Sequence, residues 1–270
     1  MIVGLQQFAE HFADYQDRYV LIGGAATWLV LDDAGLDPRV TQDLDIVLCL
    51  EVLDVEFATA FWRFIEQGEY AVQEKSHSEK NFYRFKNPAR FDFPKMLELF
   101  SRKPDMLTLK DDSHLTPIPV GEEVSSLSAI LMDEGYYEFI HQHKKLLGGV
   151  PIVGEECLIP LKARAWLDLT QRKSEGEKVD GKDIKKHRND ILRLYQLLTP
   201  GEQVPLPETI RADLASFLLA VESEIEQQTL KQLGIAGISV KEVIQTIKTV
   251  YGCTEGTRRP ALTGISDFRW

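Results

Sequence analysis

Two aspartates separated by one residue are the part of this sequence with the clearest chemical meaning. Asp43 and Asp45 lie in the run Thr41-Gln42-Asp43-Leu44-Asp45-Ile46-Val47. If their apolar neighbours form a strand, the alternation of side chains places both carboxylates on one face. Paired carboxylates repel each other unless a cation neutralises them, and Mg²⁺ is usually held by one or two carboxylates together with substrate phosphates. The spacing therefore predicts a site for Mg²⁺, or for Mn²⁺, together with a phosphate compound.

A glycine pair upstream supplies a second part of such a site. The run Tyr19-Val20-Leu21-Ile22 is typical of a buried strand, and it ends at Gly23-Gly24, after which Ala25 to Leu31 is typical of a helix. Backbone N–H groups at a helix N-terminus favour a bound phosphate, and glycine allows close approach because it has no Cβ. A simple turn is the alternative interpretation of the glycine pair.

A third carboxylate, Glu98, stands inside the apolar run from Lys95 to Phe100, which is expected to be a strand. Carboxylates are seldom buried without a role. We expect Glu98 to bind a second metal ion or to accept a proton from a nucleophile. The alternatives are a structural ion pair for Glu98, or Asp92 as the third carboxylate.

Composition limits the class of protein. The chain has 270 residues, of which 44% are hydrophobic and 27% charged, and its formal net charge is −11. These values are ordinary for a soluble globular protein, and the acidic balance argues against non-specific coating of nucleic acid. Between Pro160 and Arg193, however, ten Lys or Arg residues stand against six Asp or Glu. This basic island could bind a polyphosphate or a nucleic-acid end, or could be a solvated helix face.

Targeting signals are not apparent in the sequence. No apolar run approaches the roughly 18–20 residues of a membrane span, and the N-terminus lacks a basic stretch followed by an apolar segment. The cysteines Cys49, Cys157 and Cys253 lack metal-ligand spacing. We therefore expect a cytoplasmic protein with free thiols and no membrane partner.

The expected architecture is α+β, with a mixed β-sheet and helices over residues 1–124 and a helical domain over residues 125–252 that completes the site. Residues 253–270 are expected to be a flexible tail. Among the helices, the periodicity predicts one from Tyr136 to Leu147, ended by Gly148-Gly149, and one that Pro160 opens.

The site residues also carry a family resemblance. Leu21-Ile22-Gly23-Gly24-Ala25-Ala26, followed by Arg39-Val40-Thr41-Gln42-Asp43-Leu44-Asp45, resembles the signature of the polymerase-β-like nucleotidyltransferase superfamily, and in particular its branch of AbiEii-like toxins. Members of that branch carry a lysine on a later helix, matched here by Lys162, and an aspartate on a still later helix, matched by Asp190. The resemblance covers roughly residues 19–198. The branch often has a second aspartate three residues further on, where this chain has Arg193.

The resemblance implies a nucleotidyltransferase-type mixed sheet and a Mg²⁺-dependent transfer of a nucleoside monophosphate from an NTP to an acceptor hydroxyl. For related toxins the acceptor can be the 3′ end of a tRNA, and membership of a toxin–antitoxin or phage-defence system would imply a cognate antitoxin as partner. The expected catalytic residues are Asp43, Asp45 and Glu98, with the two aspartates as metal ligands. The expected nucleotide-binding residues are Gly23, Gly24, Arg39, Thr41, Lys162 and Asp190.

Each of the later nucleotide-binding residues also has a structural interpretation. Arg39 could be a surface charge, Thr41 a plain strand residue, Lys162 a lysine whose stem covers the core, and Asp190 a partner in helix-surface ion pairs.

Two other classes of function remain open. One is a catalytically silent protein that binds a nucleotide or a partner protein. The other is a small-molecule nucleotidyltransferase acting on an aminoglycoside-like acceptor, and the net charge of −11 suits a cationic acceptor better than RNA.

Overall fold

The computed structural model describes residues 2–72, 83–104, 115–118 and 128–253. The helices are α1 Leu5–His11, α2 Gly23–Asp33, α3 Val55–Gly68, α4 Glu134–Gln142, α5 Glu155–Ser174, α6 Gly181–Leu194, α7 Glu208–Val221, α8 Gln227–Gln232 and α9 Val240–Val250. The strands are β1 Tyr19–Ile22, β2 Asp43–Leu48, β3 Ala71–Val72, β4 Arg84–Lys86, β5 Met96–Ser101, β6 Leu115–Pro117, β7 Ser128–Leu131, β8 Lys144–Leu147 and β9 Val150–Val153. Short 3₁₀ turns span Ala13–Tyr15 and Tyr195–Leu197.

The described strands form one mixed sheet. Seven of them follow the order β3-β4-β5-β2-β1-β9-β8, and β7 pairs with both β5 and β6. The central strand β2 runs antiparallel to β1 and parallel to β5, and β1 runs parallel to β9. From α5 onward the described chain is helical. The predicted α+β class, with a mixed sheet followed by a helical C-terminal region, is confirmed.

Aromatic side chains cover one face of this sheet. Phe8 of α1 packs edge-to-face on Tyr19, and Phe61 of α3 lies 5.5 Å from Phe85, measured between ring centroids. Tyr19 pairs in register with Leu48, so these aromatic residues share a face with the even-numbered residues of β2. Because strand side chains alternate, the odd-numbered residues of β2 face the other way. The aspartates are therefore turned away from the aromatic core.

The helix predicted from Tyr136 to Leu147 is wrong beyond Gln142. A β-hairpin follows α4, in which Leu147 pairs with Val150 across a two-residue turn. Gly148 and Gly149 have φ angles of +61° and +80°. Positive φ at both central residues is the geometry of the tight turn that suits a right-twisted hairpin, and glycine adopts it without strain. The glycine pair thus makes a turn between strands rather than a helix C-terminus.

The helix that was expected to begin at Pro160 begins instead at Glu155, and Pro160 lies inside α5. Proline has no N–H, so the carbonyl of Glu156 loses its usual partner in the helix. The hydroxyl of Tyr251 donates to that carbonyl at 3.1 Å. A side chain from the C-terminal end of α9 therefore satisfies the acceptor that the proline leaves open.

The predicted domain boundary at residues 124 and 125 lies before the end of the sheet. Strands β7, β8 and β9 all follow it and belong to the same sheet, and the described chain becomes helical only from Glu155. The expected tail spans residues 253–270, of which all but the buried Cys253 lie outside the described residues. Within the described ranges, none of the helices has the length and apolar character needed to span a bilayer.

Candidate active site

Three charged side chains stand side by side on the sheet face opposite the aromatic core. Asp45 of β2 is in register with Glu98 of β5, and Glu98 is in register with Arg84 of β4. Asp43 precedes Asp45 by two residues and shares its face. The predicted placement of the three carboxylates on adjacent strands is present in the structure.

The glycine pair lies against this row, at the first turn of α2. Gly24 donates a backbone hydrogen bond to Asp45. Gly23 has a φ of +63°, and a Cβ built on it would lie 1.9 Å from Asp45 Oδ2. A Cβ on Gly24 would lie 2.6 Å from Thr41 Oγ1. Any larger residue at either position collides with the site, so the absence of a Cβ is what lets the helix begin beside the carboxylates.

A single cavity gathers most of the predicted site residues. The sheet contributes its three carboxylates, and the start of α2 contributes the glycine pair. Helices α5 and α6 enclose the cavity from the helical region. The lining residues are Gly23, Gly24, Arg39, Thr41, Asp43, Asp45, Met96, Glu98, Phe100, Leu158, Leu161, Lys162, Ala165, Lys186 and His187. Eight of the nine predicted residues line the cavity, and Asp190 does not.

Asp190 lies behind the cavity wall, fully buried, and binds the cations of the site. Arg39 Nε donates to both of its carboxylate oxygens at 3.0 Å, and Lys162 Nζ donates to Oδ2 at 2.8 Å. Arg193, on the same helix, lies 3.6 Å from Oδ1. The predicted role of Asp190 as a direct nucleotide ligand is not supported by this geometry, because its oxygens are already bound by these cations. Its carboxylate instead holds Arg39 and Lys162 at the cavity.

This cluster has more positive than negative charge, and its pKa values reflect that. Burial alone would raise the pKa of Asp190, but Lys162 and Arg39 outweigh it and hold that pKa below its usual value. The pKa of the Lys162 ammonium is lowered, chiefly by burial and further by Arg39, against the attraction of Asp190. Asp190 therefore carries one negative charge against three cations, and the carboxylates of the sheet face Lys162 across the same cavity.

Glu98 is buried, with 7% of its surface exposed, and forms an ion pair with Arg84. Burial raises the pKa of Glu98, the charge of Asp45 raises it further, and Arg84 acts in the opposite direction. The ion pair that sequence analysis left open as an alternative is therefore present. It coexists with a place on the cavity wall, so Glu98 has both a partner and access to a ligand.

The carboxylates of Asp43 and Asp45 fit a hard divalent cation held in part by a substrate. Burial raises the pKa of Asp45, the charge of Asp43 adds to this, and Lys162 and Lys186 oppose it. A nearby cation stabilises the ionised form of such a carboxylate. Among the described residues no group of three or more His, Cys, Asp or Glu side chains is arranged to hold a metal alone. Mg²⁺ is usually bound by one or two carboxylates, and phosphate oxygens of a substrate complete its coordination.

Sequence analysis missed three polar residues of this region. Lys186 and His187 line the cavity from α6, one turn before Asp190. Their spacing of four and three residues from Asp190 places them on one helix face, a signal the sequence does contain. Arg84 had no comparable signal, since its position opposite Glu98 depends on the register of a three-residue strand.

Comparison with known proteins leaves the family open. No protein-family model matches the chain, and no curated protein matches it. Among solved structures, the JHP933 protein of Helicobacter pylori matches with 15% identity and a TM-score of 0.38, over 91% of this chain and 86% of the other. An H. pylori protein described as a "putative nucleotidyltransferase" matches with 16% identity and a TM-score of 0.31, over 91% and 89%. At these scores the similarity identifies neither an activity nor a ligand.

Proposed function

We propose that this protein is a metal-dependent nucleotidyltransferase, which moves a nucleoside monophosphate from an NTP to an acceptor hydroxyl and releases pyrophosphate. One observation carries the proposal: carboxylates from the sheet and cations from the helical region line the same cavity. A metal-bound triphosphate presents the complementary charges, a divalent cation and anionic phosphate oxygens. The resemblance of the Gly-Gly and Asp-x-Asp motifs to the polymerase-β-like superfamily supports the same conclusion.

The cationic residues act on the triphosphate. Arg39, Lys162 and Lys186 bind phosphate oxygens, and Asp190 fixes the positions of the first two. The glycine pair allows the phosphates to approach the first turn of α2. Mg²⁺ or Mn²⁺, when bound by Asp43 and Asp45, supplies neutralisation of the triphosphate charge.

Glu98 acts on the acceptor. The acceptor oxygen forms a bond to the α-phosphorus as the bond from that phosphorus to the bridging oxygen breaks, and pyrophosphate leaves. Glu98 takes the proton of the attacking hydroxyl. The pKa of Glu98 is raised, and so lies closer to the operating pH than that of an ordinary carboxyl group. Glu98 is therefore a better general base.

We further propose an acceptor and a biological setting for this reaction. The resemblance to AbiEii-like toxins supports the 3′ end of a tRNA as acceptor and a place in a toxin–antitoxin or phage-defence system. Exposed Lys182 and Lys185 lie on α6 with Lys186, and this charge suits a polyanionic acceptor. A cationic, aminoglycoside-like acceptor is the second candidate, because the whole chain carries a net charge of −11.

The test is a transfer assay with α-³²P-labelled NTPs, Mg²⁺, and either total tRNA or an aminoglycoside, with released pyrophosphate measured in parallel. We expect label on one acceptor, with the rate lowered about 10³-fold or more in Asp43→Asn and Asp45→Asn. Asp33→Asn is the matched control, because Asp33 is exposed at the end of α2. Unchanged turnover in both site variants would refute the mechanism. Binding of Mg²⁺-NTP by calorimetry without release of pyrophosphate would favour a silent nucleotide-binding protein instead.

A further inference from the structure

His187 has no part in the reaction as described, yet it lines the proposed phosphate site. It follows Lys186 on α6. Its Nδ1 atom is buried and has no hydrogen-bond partner among the described residues. Buried polar atoms are nearly always hydrogen-bonded, so an unpartnered one requires an explanation, and a missing water, ion or ligand is one such explanation.

The charges that act most strongly on this imidazole are three cations and one anion, while Asp43, Asp45 and Glu98 line the same cavity from the sheet. Lys162 from α5, Lys186 from α6 and Arg39 from the segment before β2 act on it, with Asp190 as the opposing anion. Burial and then the two lysines hold the pKa of His187 well below its usual value. In the absence of a ligand the ring is therefore neutral at pH 7.

We propose that His187 is a phosphate-contacting residue that takes up one proton from solvent when a polyphosphate binds, after which Nδ1 donates a hydrogen bond to a phosphate oxygen. The inference deepens the proposed function, since it rests on the cavity being a phosphate site. In the proton balance, one proton from solvent forms one new N–H bond on the ring, the imidazole becomes imidazolium, and no other covalent bond of the protein changes.

The chemistry of the ligand explains why a proton should move. Ionised phosphate oxygens only accept hydrogen bonds, so Nδ1 can bond to one either as the Nδ1–H tautomer of the neutral ring or as imidazolium, and only the second requires a proton from solvent. The negative charge of the ligand offsets the three cations that add to the effect of burial on the ring, and it favours the imidazolium form. The histidine would then bind anions more tightly as the pH falls through its pKa in the complex.

Calorimetric titration with inorganic triphosphate tests the inference directly. Heats measured at pH 7 in buffers of different ionisation enthalpy give the number of protons taken up on binding. We expect the wild-type protein to take up about 0.3–1 proton more than His187→Gln, whose amide keeps hydrogen-bonding capacity but does not titrate. We also expect the affinity of the variant to be about fivefold lower. Equal uptake by the two proteins, or no binding of triphosphate by the wild type, would overturn the inference.

Two further measurements keep the result clear of folding effects. His143→Gln is the matched control, because His143 lines a different cavity and its Nδ1 is bonded to the Phe139 carbonyl; this variant should keep the wild-type uptake. In ¹³C-histidine-labelled wild-type protein, the His187 signal should move toward the imidazolium shift on titration with triphosphate, and a signal that stays at the neutral shift would contradict the proposal. These readouts need no catalysis. Proton uptake without transfer would sustain this inference while the proposed function failed.

Discussion

Asp45 and Glu98 stand directly opposite each other on two parallel strands, and burial raises the pKa of both. Their surroundings differ. Glu98 forms an ion pair with Arg84, whereas Asp45 has Asp43 on its own strand and accepts a hydrogen bond from Gly24. This difference suits two different roles. Asp45 would bind a cation together with Asp43, and Glu98 would accept a proton.

Asp45→Asn should stabilise the metal-free protein at pH 7. Because the folded-state pKa of Asp45 is raised, its contribution to stability is full below the unfolded value of 3.8 and is lost as the pH rises through the folded value. The asparagine does not titrate and keeps an acceptor for Gly24. Thermal unfolding with EDTA should give a higher midpoint for the variant at pH 7, with a smaller difference at pH 4. A lower midpoint at pH 7 would contradict this electrostatic account of the site.

Asp190→Asn should cost about 3–5 kcal/mol of unfolding free energy, because it leaves the buried ammonium of Lys162 without its counter-charge. The folded-state pKa of Asp190 is lowered, so its stabilisation is present above the unfolded value of 3.8 and is lost as the pH falls through the lower folded value. Denaturant unfolding at a series of pH values should show this acid loss in the wild type and not in the variant.

The control is the double variant Asp190→Asn/Lys162→Met, because the second substitution removes the ammonium charge that the first leaves uncompensated. The double variant should recover part of the lost stability. Equal stability of the wild type and Asp190→Asn would show that the cation cluster does not depend on this carboxylate.

Arg84 should set the acid limb of the pH–rate profile if Glu98 accepts the proton. Arg84 lowers the pKa of Glu98, so Arg84→Met should move that limb to higher pH, while Arg84→Lys should leave it nearly in place. Glu98→Gln should lower the rate about 10²–10⁴-fold and remove the limb. Single-turnover rates between pH 4 and 9 are the measurement. An acid limb at the same pH in the wild type and Arg84→Met would exclude Glu98 as the base.

Gly23→Ala should abolish transfer and destabilise the fold. Two costs combine there: a φ of +63°, and a Cβ placed 1.9 Å from Asp45 Oδ2. Gly35→Ala is the matched control, because Gly35 has a φ of +70° but no atom within 4 Å of a built Cβ. The backbone strain alone costs about 1–2 kcal/mol, so the difference between the variants in stability and activity measures the collision. Similar effects in the two variants would show that space beside Asp45 is not what the glycine provides.

Local patterns were enough to predict the centre of this site. The strand before Gly23, the helix after it and the strand through Asp43 and Asp45 each follow from periodicity over a few residues, and all three are present. Glu98 was found because a carboxylate in an apolar run is unusual. These signals are local, so they do not depend on how distant parts of the chain meet.

The remaining features depend on contacts between distant residues. The burial of Asp190 between Arg39 and Lys162 requires α6 to pack on α5, which no single helix reveals. The β8–β9 hairpin was missed because glycine pairs occur both after helices and in tight turns, and only pairing of β9 with β1 decides between them. In each case the local pattern allowed two structures, and tertiary packing selected one.

A crystal structure with Mg²⁺ and an NTP analogue that resists cleavage at the α–β bond is the most direct test of the central claim. The account predicts a metal ion bound to the carboxylates of Asp43 and Asp45 and to phosphate oxygens, with Arg39 and Lys162 contacting the triphosphate. A triphosphate bound elsewhere, or carboxylates that do not coordinate the ion, would contradict it.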